Sequence, residues 1–60
     1  MSIILFTPPM GESGYVSDVN WTRKHFHYNN TEGFVRLFNR QDIKRFLEMF
    51  KGDFKVFKVN

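Results

Sequence analysis

The 60-residue sequence contains no cysteine, so no disulfide can staple the fold and no thiolate is available to hold a metal; the lack is also compatible with a reducing compartment. Long apolar runs are missing too. The run nearest the N-terminus, Ile3 to Phe6, has no basic segment before it and is too short for a signal peptide or a membrane span. A cytoplasmic protein is the expectation. Asn20-Trp21-Thr22 and Asn29-Asn30-Thr31 match the N-glycosylation pattern, but without a secretion signal they carry no weight.

The usual furniture of catalysis is equally sparse. Gly11-Glu12-Ser13-Gly14 lacks the Gly-Lys-Ser/Thr ending of a phosphate loop and leads into no convincing helix. No serine, histidine and acid are spaced to suggest a nucleophilic triad. His25 and His27 stand two apart with only Asp18 and Glu32 as nearby carboxylates, and two ligands do not make a metal site. The same pair could act as acid and base in a small ribonuclease, with Arg23, Lys24 or Tyr28 steadying phosphate, but this reading ranks below binding. The chain is expected to be no enzyme and to use no cofactor and no metal.

Aromatic residues, by contrast, are abundant at 18%, with eight phenylalanines. They must fill a core or lie exposed for binding. A chain of 7.2 kDa supports one small domain, residues 1–60, and folding is finely balanced: burial returns roughly 95 kcal/mol against roughly 90 kcal/mol of ordering entropy. Nine Lys and Arg against six Asp and Glu leave a net charge of +3. That allows a nucleic-acid or acidic partner without compelling one.

Along the chain, Ser2 to Thr7 reads as a strand ended by Pro8-Pro9, which cannot continue a sheet ladder. Pro8 to Thr22 reads as a long loop rich in turn formers, with Val16 and Val19 as weak hints of order. A hairpin is expected next, with arms Lys24 to Tyr28 and Phe34 to Phe38 around a turn at Asn29 to Gly33. Asn39 is a good N-cap for a helix from Arg40 to Lys51, in which Ile43, Phe46, Leu47 and Phe50 form one apolar stripe and Gly52 supplies a left-handed C-cap. A last strand carries Phe54 to Val59, "FKVFKV". The fold class is therefore α+β, a two-layer domain with an antiparallel sheet of three to four strands and one amphipathic helix, in the order strand, long loop, hairpin, helix, strand.

Ile3 to Phe6, Phe34 to Phe38 and Phe54 to Val59 are each apolar on both sides, yet one helix can cover only one sheet face. Either the loop Pro8 to Thr22 folds over the second face, or a partner does. The leading expectation is a protein partner, with a homodimer as one form, and with Tyr15, Trp21, Phe34, Arg36 and Phe57 as the contact residues. In size and composition the chain looks like the small early proteins by which bacteriophages bind and disable a host enzyme or defence factor. The alternative is a small domain for single-stranded DNA or RNA using Arg23, Lys24, Arg36, Lys44, Arg45, Lys51, Lys55 and Lys58. "EGFVRLF", Glu32 to Phe38, departs from the RNA-recognition signature at its first residue and in the placing of its aromatics.

Overall fold

A computed structural model describes residues 1–31 and 33–59. It contains strands β1 (Ser2–Thr7), β2 (Gly14–Asn20) and β3 (His25–Asn29), helix α1 (Arg40–Met49) and strand β4 (Asp53–Lys58). The four strands form one antiparallel sheet in the order β3-β2-β1-β4. A small α+β fold is thus what the chain adopts.

Three details differ from the expectation, each for a physical reason. First, the long loop is mostly strand β2, and only residues 8–13 connect it to β1. A bulge between Val16 and Asp18 shifts the register against β3. Two valines three apart therefore both point to the core, where Val16 is fully buried and Val19 nearly so. Second, β3 pairs with β2 rather than with Phe34 to Phe38. The hairpin turn is Trp21 to Lys24, held by the Arg23 amide donating to Asn20 Oδ1 at 3.0 Å and by Lys24 in the left-handed region at φ +56°. Glu32, expected in a turn and as a carboxylate near the histidines, lies outside the described residues. Third, α1 ends at Met49, and Phe50 leaves it in an extended conformation while its amide still donates to the Phe46 carbonyl. Gly52 is therefore not the C-cap. The N-terminal end is as expected, with Asn39 Oδ1 accepting from the Asp42 amide at 2.8 Å.

The segment after β3 forms a wedge in the sheet. β1 and β2 pair only at Leu5 with Tyr15 and Phe6 with Gly14, whereas β1 and β4 pair over six positions from Ser2 to Thr7. Beyond Leu5 the two strands part, and residues 36–38 enter the gap. The Arg36 amide donates to the Val16 carbonyl at 2.9 Å, and Ser2 and Phe38 exchange two backbone hydrogen bonds of 2.8 Å. Orphaned backbone groups of the splayed strands are satisfied in this way. Gly14 sits where the hairpins meet, and a Cβ there would come within 3.0 Å of the Asn29 backbone and the Tyr28 ring.

One face of the sheet carries the core. Ile4, Val16, Val19, Phe38 and Phe46 are its buried residues, with Trp21, Phe26, Ile43, Phe50 and Phe54 packed around them. Phe46 is the hub, its ring 4.7 to 5.8 Å from those of Phe50, Phe54, Phe26 and Phe38. Such edge-to-face and tilted pairs add to burial itself. Leu47, expected in the helix stripe, is exposed.

Candidate functional site

Strand alternation assigns every residue of β1 to one of two faces. Ser2, Ile4 and Phe6 lie beneath α1, so Ile3, Leu5 and Thr7 belong to the opposite face. Direct pairing carries that face across the sheet: Phe57 sits beside Ile3, while Lys55 and Tyr15 flank Leu5 on either side. Val35 joins Ile3 and Tyr15 in lining a shallow depression of about 240 Å³ with Asn30, Thr31 and Gly33. Leu37, the neighbour of buried Phe38, alternates to this side as well.

The described chain lays no second layer over these residues. Tyr15 is 36% exposed, Phe57 44% and Leu37 52%. The molecule measures 28 × 27 × 17 Å, and its short dimension is that of one helix on one sheet. Its accessible surface is 4704 Å², against about 4,100 Å² expected for a compact monomer of this mass. Tyr15, Val35, Leu37 and Phe57 on this face are among the exposed large apolar side chains.

The residues anticipated as partner contacts divide between the two sides. Tyr15 and Phe57 share the open face. Phe34 is exposed in the connection from β3 to α1. Trp21 and Arg36 lie on the helix side: the Arg45 guanidinium stands 4.4 Å over the Trp21 ring, and Arg36 is 6.0 Å from that ring and 5.3 Å from Phe38. Arg36 also reaches Asp18 at 3.8 Å, a long contact to an exposed carboxylate and of little energetic weight. The loop Pro8 to Thr22 is no lid on the second face, since Val16, Val19 and Trp21 all pack on the first. Ile3, Leu5, Val35 and Leu37 escaped the sequence reading as site residues. Their common signal is opposite parity to the buried Ile4 and Phe38.

The cations expected for nucleic acid spread over several surfaces. Lys55 is on the open face, and Lys58 is on the other, where it lines a cleft of about 430 Å³ with Arg40 and an apolar floor that includes Phe38, Ile43 and Val56. Lys24 and Arg45 share a hollow with Glu48 and Met49. Arg23 lies in the β2–β3 turn, Lys44 on α1 and Lys51 just after it. His25 and His27 are both exposed on edge strand β3, their rings 4.8 Å apart. Among the described residues no three His, Asp or Glu side chains gather as metal ligands, and no helix is long and apolar enough to cross a membrane. Compared with protein-family models, curated proteins and solved structures, the chain matches none.

Proposed function

We propose that this chain is a small non-enzymatic binding protein that modulates a protein partner, and that it meets the partner with the open face of its sheet. One observation carries the reading: half-buried Ile3 and Leu5 and exposed Tyr15, Leu37 and Phe57 are neighbours on one sheet face, over which the described residues place no second layer. Surfaces of this kind mark protein interfaces, and aromatic anchors at their centre supply most of the binding energy. A partner of the kind disabled by small phage proteins, a host enzyme or defence factor, suits an apolar face of this kind. Nucleic-acid binding ranks second, since the cations do not converge on one stripe.

The test is capture of a target from a host lysate, with and without nuclease, by the wild-type chain and by Phe57→Asp. A target kept after nuclease and lost with Phe57→Asp is the expected result. Retention by the variant, or loss on nuclease treatment, would overturn the reading. Salt gives a second readout: an apolar interface changes little over a few-fold rise in salt, whereas a phosphate-binding mode weakens about a hundredfold.

A further inference from the structure

We infer that, until a target competes for it, the open face is closed by a second copy of this chain, packed sheet to sheet about a twofold axis running along β1. The inference rests on the reading of that face as a protein-docking surface, and it names the occupant.

Exposure is the first argument. Tyr15, Val35, Leu37 and Phe57 are large apolar side chains left exposed on this one face of a single copy, and surfaces of this kind are what protein interfaces cover. A second sheet placed at the usual ~10 Å spacing covers those side chains in both copies at once and yields a four-layer sandwich with the helices outside.

Register is the second. At the level of Leu5 the face reads Lys55, Leu5, Tyr15 across β4, β1 and β2; at the level of Ile3 it reads Phe57, Ile3 and then the wedge at Leu37. A twofold axis along β1 exchanges the left and right of each row. Leu5 and Ile3 then meet their own copies, the cation of Lys55 lies over the ring of Tyr15 in the other chain, and Phe57 faces the wedge beside the depression lined by Ile3, Tyr15 and Val35. An isologous interface needs this self-complementarity, in which every knob has its hole and no like charges stack. The only charged side chain in these two rows, Lys55, meets an aromatic face and not another lysine.

The experiment is sedimentation equilibrium over a wide concentration range, with chemical cross-linking of cysteine variants of this cysteine-free chain. The expected mass is twice 7.2 kDa, with a melting temperature that rises with protein concentration. Tyr15→Cys mixed with Lys55→Cys should be joined by a short bismaleimide far better than either variant alone. Phe57→Asp should weaken the dimer about a hundredfold or more, by burying an unpaired charge. Lys55→Glu changes a side chain that is exposed in the single copy, so it tests the contact without endangering the fold; it should weaken the dimer about five- to tenfold. A wild-type chain that is monomeric throughout overturns the second copy as occupant. So does efficient cross-linking of Lys55→Cys to itself in place of the mixed pair. If that monomer still captures a target that Phe57→Asp loses, the docking surface stands and only its self-pairing falls; if both chains capture equally, both readings fall.

Discussion

The two faces of the sheet are built from similar residues and meet opposite fates. Six of the eight phenylalanines, Phe6, Phe26, Phe38, Phe46, Phe50 and Phe54, pack together on the helix side, whereas Phe57 on the other side remains nearly half exposed. Hydrophobicity alone does not decide which residues become core. What decides is whether a second layer exists to remove water from both partners of a contact, since dispersion and hydration gains need atoms on each side. The helix supplies that layer once. The open face keeps its apolar area available for association, and that is the physical basis of the binding role proposed for it.

This contrast can be broken most forcefully at Phe46. Phe46→Ala removes the ring at the hub of the helix side, and the expected loss of about 3–5 kcal/mol is enough to unfold a chain of marginal stability. Thermal melting followed by circular dichroism should show no cooperative transition. Persistence of a native-like melt would mean that the helix face is not the main core.

Trp21 probes the border between the faces. Its ring packs on the core edge-on to Phe46, beneath Arg45, and it is only partly buried, so Trp21→Ala should cost about 2 kcal/mol of stability. Melting and target capture on the same variant separate two roles. A lowered transition fits the packing described, while an unchanged transition with lost capture would make Trp21 a contact residue and extend the binding surface beyond the open face.

At the start of the covering helix, Asn39→Ala removes the side-chain acceptor for the Asp42 amide and should destabilise by about 1 kcal/mol. Chemical denaturation should show a lower midpoint with an unchanged slope. The smallest effect is expected on the open face itself. Leu37→Ser, measured on chains dilute enough to be single, should change stability by no more than about 0.5 kcal/mol. A loss of several times that size would show that the wedge buries Leu37 as part of the monomer core.

Much of the architecture was legible in local pattern. The helix announced itself through Asn39 and the spacing of Ile43, Phe46 and Phe50, and β1 and β4 through apolar runs bounded by Pro8-Pro9 and Gly52-Asp53. Strand β2 was not legible, because its bulge replaces the two-residue alternation with a three-residue step from Val16 to Val19. The wedge was hidden for a different reason. Arg36 and Phe38 bond to Val16 and Ser2, partners 20 and 36 residues earlier in the chain by the numbering of those same bonds, and nothing in the neighbouring residues encodes so distant a pairing. Of the candidate site, Tyr15 and Phe57 were anticipated, while Ile3, Leu5, Val35 and Leu37 needed the register that makes them neighbours.

What the sequence by itself determined, then, is an imbalance: strands apolar on both sides and a single amphipathic helix to cover them, a consequence of composition and periodicity. Which face stays open was decided only in the tertiary structure. The bulge in β2 turns both of its valines toward α1, the wedge carries Phe38 to the same side, and Trp21 follows them, so the elements that could have covered the second face are drawn to the first. Burial is cooperative, each packed ring making the next contact more favourable, and a chain with material for one core gathers it on one side.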